Sequence, residues 1–268
     1  MENNHRPFAV VTGASSGIGY ELARVFASNG FDLLITAEHQ EGLDKTRRDL
    51  GSVGTEVYAL APDLTRYDEV ERLWSEIKAT GRPVDAIAIN AGVGVGGRFA
   101  DTDLEEELNL IQLNVTSTVH LAKRALQDML TRDKGRILFT SSIAGTMPAP
   151  LEAVYGASKA FVLSFSRSLR YELKDTGVTV TALQPGPTDT NFFHRAGMDD
   201  TELGQKGKYT NDPAEVAQQG YDAMMKGEDH VYASSFSTKA EGELGKFIPE
   251  SVKAAAHQKK AEPKSGTR

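Results

Sequence analysis

Apolar runs rich in β-branched residues alternate with helix-period segments along most of the chain, the pattern of successive βαβ units feeding one parallel sheet. The strands are read at Phe8 to Val11, Phe31 to Thr36, Glu56 to Leu60, Asp85 to Ile89, Arg136 to Thr140 and Val178 to Leu183, with a short seventh near His230 to Ala233. Several are apolar without alternation, as strands covered on both faces of a doubly wound sheet should be. Two helices stand out as long, roughly Leu104 to Leu130 and Glu152 to Asp175, and Gly177 is placed to end the second near its C-cap. The fold class is therefore α/β, a doubly wound parallel sheet of about seven strands in a single domain. That domain is assigned to residues 1–257. The polar, basic end 258–268, with Lys259, Lys260 and Lys264, reads as a tail that is poorly ordered unless a partner holds it.

Composition narrows the class. A chain near 300 residues buries roughly 75% of its unfolded surface, so 268 residues suffice for one large core. The glycine-rich stretch Gly92 to Gly97 lies between a strand and a helix of the same series and reads as a site loop, not a linker. The absence of cysteine excludes disulfides and thiolate metal sites. The six histidines show no HExxH or paired spacing, so no metal is expected. A net charge of -7 argues against nucleic acid as a partner, since phosphate binding needs a basic field. The polar start leads directly into the first strand, and no run approaches the ~20 apolar residues of a spanning helix, so no membrane partner and a cytoplasmic location are expected.

Two local patterns carry chemistry. Thr12-Gly13-Ala14-Ser15-Ser16-Gly17-Ile18-Gly19 sits where the first strand hands over to the helical segment beginning at Tyr20. Glycines there let the backbone turn tightly and approach a pyrophosphate, whose charge meets the free amides and positive dipole of a helix N-terminus. The spacing is GxxxGxG, not the commoner GxGxxG, and a ligand-free turn is the plain alternative. Further on, Tyr155 and Lys159 are four apart on a helix and share one face. A phenol ionises near pH 10, too high to act as a base at neutrality, but a fixed neighbouring cation favours the phenolate. Alone, such a pair is common on helices.

Together with their company these residues resemble the short-chain dehydrogenase/reductase family, from Pro7 to about Ala233. TGxxxGxG at Thr12 to Gly19 is followed by Asp63 after the third strand, the triplet Asn90-Ala91-Gly92, Asn114 on a helix, Ser142, Tyr155 and Lys159, and then Pro185-Gly186 with Thr188 and Thr190. The resemblance implies a Rossmann-like fold and a nicotinamide cofactor. It implies an NAD(P)-dependent oxidoreductase moving hydride to or from a carbonyl or secondary alcohol, with Tyr155 as general acid/base. By the same resemblance Ser142 hydrogen-bonds the reacting oxygen, and Lys159 lowers the tyrosine pKa and binds the nicotinamide ribose. Asn114 supports a water linking that lysine to solvent. Gly13, Ser15, Ser16, Gly17, Ile18 and Gly19 cradle the pyrophosphate; Asp63 and Leu64 meet the adenine. Asn90, Ala91 and Gly92 pack on the adenosine side, and Pro185, Gly186, Thr188 and Thr190 close the nicotinamide pocket. Relatives pair long helices across a two-fold axis, so a homodimer or homotetramer is expected.

The cofactor is NAD or NADP. Where NAD-selective relatives carry an aspartate after the second strand this chain has Ala37, and the next residue, often arginine in NADP-selective relatives, is Glu38. An acid repels a 2′-phosphate and accepts from a 2′-hydroxyl, which tilts the choice to NAD. Against this, Glu38 could point into solvent, leaving His39 with Arg47 or Arg48 to supply positive charge. Val93, Met147, Pro148, Leu151 and Phe192 are positions for a largely apolar substrate pocket, and residues 191–198 for a lid. Two other classes compete. A dinucleotide-sensing regulator gains nothing from Ser142, Tyr155 and Lys159. An epimerase or isomerase working by transient oxidation would keep the Tyr/Lys pair but usually adds a substrate domain that this chain lacks.

Overall fold

The computed structural model describes residues 6–52, 54–205, 211–233 and 248–265. Seven strands, β1 (Phe8–Thr12), β2 (Asp32–Thr36), β3 (Val57–Leu60), β4 (Ala86–Ile89), β5 (Gly135–Thr140), β6 (Val178–Pro185) and β7 (His230–Ala233), form one sheet in the order β3-β2-β1-β4-β5-β6-β7. Every neighbouring pair is parallel. The helices are α1 (Gly17–Ser28), α2 (Gln40–Gly51), α3 (Tyr67–Ala79), α4 (Leu104–Ile111), α5 (Ser117–Leu130), α6 (Ala153–Glu172), α7 (Phe192–Arg195), α8 (Pro213–Lys226) and α9 (Glu250–Ala261).

Successive strand residues feed opposite faces, so two cores form from one sheet. Ala9 and Val11 of β1, with Leu33 and Ile35 of β2, pack under Leu22 and Phe26 of α1, Leu43 of α2 and Val216 and Met224 of α8. Phe8, Val10 and Leu34 turn the other way, beneath Leu73 and Ile77 of α3, Leu121 and Met129 of α5 and Val162 of α6. Burying each such side chain is worth about 1.5–3 kcal/mol, which explains why the strands read as unbroken apolar runs. The chain runs outward from β1 to β2 and β3, then returns to place β4 on the other side of β1. That reversal parts the connections beyond the carboxyl ends of β1 and β4, opening a crevice there.

Three expectations change. The helix read at Leu104 to Leu130 is interrupted by a π turn, Gln112–Thr116, between α4 and α5. The helix carrying Tyr155 stops at Glu172, and Gly177 does not cap it. Gly177 is glycine for a close approach, because a Cβ there would lie 1.8 Å from the carbonyl oxygen of Asp133, whose carboxylate accepts the Gly177 amide at 2.7 Å. Finally, the tail begins as the last turn of α9. Ala261 is buried against Ala196, Met198 and Leu203, and the Lys264 amide donates to the Asp200 carbonyl at 2.8 Å. A single small apolar residue among lysines docks this end, a signal too weak to see in a polar run. No helix of the described residues is long and apolar enough to cross a membrane.

Candidate active site

The glycine turn joins β1 to α1 at the crevice. Gly13 has φ +70°, and the Ala14 amide donates to the Thr36 carbonyl at 3.0 Å, tying the turn to β2. A Cβ on Gly19 would sit 2.1 Å from the Gly13 carbonyl oxygen, so this approach admits no side chain. Ser16, the N-cap of α1, is extended and makes no side-chain cap bond. The helix start thus keeps amide donors for an anion. Behind it, the buried Thr12 hydroxyl accepts from the Asn90 and Ala91 amides, each at 2.9 Å. Asn90 Nδ2 donates to the Thr12 carbonyl at 3.1 Å and Thr140 Oγ1 to Asn90 Oδ1 at 3.0 Å, so the triplet Asn90-Ala91-Gly92 braces β1, β4 and β5.

The opposite wall comes from α6. Tyr155 and Lys159 are both buried on the face predicted from their spacing, with Lys159 Nζ 5.8 Å from the phenol ring centroid. Lys159 Nζ donates to the Thr140 carbonyl at 2.9 Å. Two serines stand beside them, and their hydrogen bonds differ. Ser141 Oγ is spent on the Lys159 carbonyl at 2.8 Å, whereas Ser142 Oγ accepts the Ala144 amide at 3.1 Å and is near enough to Tyr155 to favour its phenolate. Burial pushes the Tyr155 phenol up, the Glu152 charge adds to this, and the Ser142 bond opposes it. Burial also depresses Lys159 from 10.5 to about 8. In the protein alone, burial therefore outweighs the expected help of the cation to the phenolate.

Asn114 lies on the π turn. Its Nδ2 donates to the Val93 carbonyl at 2.9 Å and to Ser158 Oγ at 3.1 Å, while Oδ1 accepts the Val93 amide at 3.0 Å. A π turn is a frequent device where a helix must present one side chain out of register. Asn114 thus clamps the loop after β4 to α6 and stands behind the cavity.

Most of the other residues singled out in the sequence line one cleft of about 610 Å³. Gly13, Ser15, Ser16, Gly17, Ile18 and Gly19 lie at one end with Glu38, Asp63 and Leu64, and Asn90, Ala91 and Gly92 run along its floor. Pro185, Gly186, Thr188 and Thr190 border the part shared with Ser142, Tyr155 and Lys159. Glu38 and His39 are at the rim with side chains about 80% exposed, and Arg47 and Arg48 do not line the cleft. Val93, Met147 and Phe192 line it as expected, and the Phe192 ring is 5.1 Å from that of Tyr155. Pro148 and Leu151 do not. Pro148 is exposed, and Leu151 packs against the cluster of Ala196, Met198, Leu203 and Ala261.

Arg195, within the segment read as a lid, lines the cleft, and several lining residues went unread in the sequence: Glu152, Lys253, His257 and Lys260. Val252 and Ala256, four apart on α9, and Ile248 just before the helix present an apolar stripe to the cleft, a period that the sequence does contain. Nothing local joins Glu152 to His257, which meet across 105 positions at 3.1 Å. The glycine cradle, the uncapped start of α1 and the buried Lys159 fit a dinucleotide cofactor; among the described residues no group of three or more His, Cys, Asp or Glu fits a metal.

Comparison with known proteins agrees with this geometry. The short chain dehydrogenase family profile matches residues 7–201. The oxidoreductase UcpA of Salmonella typhimurium is 31% identical over 256 residues, 91% of this chain and 95% of its own. Dehydrogenase/reductase SDR family member 7B of Mus musculus is 31% identical over 235 residues, 85% of this chain and 73% of its own. Among solved structures, a short-chain dehydrogenase from Sphingobium yanoikuyae in complex with NADPH superposes with a TM-score of 0.81 at 28% identity, covering 98% of this chain and 96% of that one. The chain belongs to the short chain dehydrogenase family and is an NAD(P)-dependent dehydrogenase/reductase.

Proposed function

We propose that the protein interconverts a carbonyl and a secondary alcohol, with Tyr155 as the acid/base, and that its substrate has a largely apolar body. The observation that carries this is the convergence of Ser142, Tyr155 and Lys159 at one wall of the cleft that begins at the glycine turn. A bound nicotinamide supplies or takes up the hydride. In reduction, the Tyr155 hydroxyl gives its proton to the carbonyl oxygen as the carbon gains hydride, leaving an alcohol and a phenolate that is then reprotonated. The burial that raises the phenol keeps it protonated near neutrality, which suits this direction. Ser142 donates to the same oxygen and stabilises the charge that develops on it. Lys159 is held by the Thr140 carbonyl where its cation faces the phenol, and Asn114 fixes the backbone at Val93 that walls the pocket. Aliphatic and aromatic side chains of Val93, Met147, Phe192 and Val252 supply the apolar lining. The NADPH-bound relative leaves the cofactor open, and Glu38 at the rim favours NAD(H).

Tyr155→Phe should lower turnover on the order of 10²–10⁴-fold while leaving the cofactor dissociation constant nearly unchanged. Turnover within a few fold of the parent on its best substrate would remove Tyr155 from the proton route. The exposed apolar residues Leu104, Leu108 and Ile111 of α4 and Phe161 of α6 support assembly into a homodimer or homotetramer. Sedimentation at micromolar concentration should show no monomer as the main species, and a monomer alone would reject the assembly.

A further inference from the structure

Glu152 is a buried carboxylate that the proton-transfer chemistry does not use. Its residue is 3% exposed, it lines the cleft, and it lies one helical turn before Tyr155. One oxygen, Oε2, accepts from His257 Nε2 at 3.1 Å. The other, Oε1, has no hydrogen-bond partner among the described residues. A buried acceptor without a donor is costly, more so when charged, and on a residue that lines the cleft it calls for a matching donor. The space it borders is also lined by Arg195, Lys253 and Lys260. Lys253 is already paired with Glu250 at 2.5 Å, and the Arg195 guanidinium in the same lining favours a neutral hydroxyl over an ammonium as the partner of Oε1.

Resting on the oxidoreductase reading above, we propose that Glu152 is a specificity-determining residue whose free oxygen accepts a hydrogen bond from a second hydroxyl of the substrate, close to the reacting carbon. The preferred substrates are then vicinal diols and hydroxyketones on an otherwise apolar body. His257 holds the carboxylate in place from α9, so recognition depends on the C-terminal helix as well as on α6. Glu152 takes no part in hydride or proton transfer.

The test compares three matched ligands: a plain secondary alcohol, the same alcohol with a hydroxyl on the neighbouring carbon, and the corresponding amino alcohol. Oxidation with NAD or NADP is followed through the near-ultraviolet absorbance of the reduced cofactor, for the parent, Glu152→Gln and Glu152→Leu. The readout is the ratio of kcat/KM for diol over plain alcohol within each protein, which does not depend on the folded fraction. The parent should favour the diol about 10- to 100-fold, the worth of a hydrogen bond to a charged group. Glu152→Gln should reduce that preference several-fold, and Glu152→Leu should bring it to within about two- to threefold of unity. No preference in the parent, or a preference that survives unchanged in Glu152→Leu, would show that Oε1 has another partner. If Glu152→Leu does not fold, an unchanged ratio in Glu152→Gln overturns the proposal equally. An amino alcohol favoured over the diol would overturn the assignment of a neutral donor. If none of the ligands, and no ketone in the reverse direction, is turned over, the reading of a carbonyl and secondary-alcohol substrate fails. Calorimetric titration of the same ligands into cofactor-saturated protein then still reads the Glu152 ratio.

Discussion

The two ends of the cleft are built by different means. At the glycine turn the walls are backbone: residues 12–19 are consecutive, their carbonyls and amides are fixed by β1, β2 and α1, and Gly19 leaves no room for a side chain. At the far end the walls are side chains from segments far apart in the chain, with Glu152 meeting His257 and Phe192 lying against Tyr155. A dinucleotide presents the same charged and polar groups to every enzyme that uses it, so a rigid backbone cradle suits it. A substrate site must be specific, and side chains can be exchanged without disturbing the sheet. Tolerance to change therefore resides at the substrate end of the cleft.

The sharpest way to break the contrast is Gly19→Ala. Its Cβ would stand 2.1 Å from the Gly13 oxygen and 2.7 Å from the Gly13 carbonyl carbon, both backbone atoms that cannot swing aside. Loss of cofactor affinity on the order of 100-fold is expected, at about 1.4 kcal/mol per decade, read by quenching or enhancement of reduced-cofactor fluorescence. Affinity within threefold of the parent would mean that the cradle is softer than its backbone construction implies.

At the junction of the two ends, Lys159 exchanges stability for function. Its pKa is depressed from 10.5 to about 8 in the folded protein. Between those values the unfolded chain holds a proton that the folded one has released, so this group's contribution to stability rises with pH through that window. Below about 8 the full penalty of burying a cation applies. Lys159→Met should therefore abolish activity yet stabilise the fold near neutrality by on the order of 1–3 kcal/mol, after allowing for the lost bond to the Thr140 carbonyl. The gain should shrink as pH rises toward 10.5. Urea unfolding across the pH range checks both signs, and a mutant less stable than the parent at neutrality would contradict the burial penalty.

The smallest effect belongs to the one exposed side chain proposed to act at the cofactor end. Glu38→Arg should shift the ratio of NADH to NADPH affinity toward NADPH roughly tenfold, by replacing repulsion of the 2′-phosphate with a charge-assisted hydrogen bond. Because the side chain is about 80% exposed, added salt should erode the shift. Fluorescence titration of both cofactors decides this, and a parent that already prefers NADPH clearly would remove Glu38 from discrimination.

The seven parallel strands, the glycine turn and the pairing of Tyr155 with Lys159 were legible in the sequence, because each follows from a local period. Doubly covered strands read as apolar runs, a tight turn into a helix reads as spaced glycines, and residues four apart on a helix share a face. Tertiary structure decided what depends on distant segments. It gave the hydroxyl of Ser141, neighbour of the Ser142 already named by resemblance, to the Lys159 carbonyl, and placed Asn114 behind the cleft as a clamp on Val93. It ended α6 at Glu172 and made Gly177 a close-approach residue against Asp133. It folded α9 over the cleft to bring His257 to Glu152. None of these leaves a periodic trace, since a contact between residues 105 positions apart is fixed by the packing of the whole sheet and its helices.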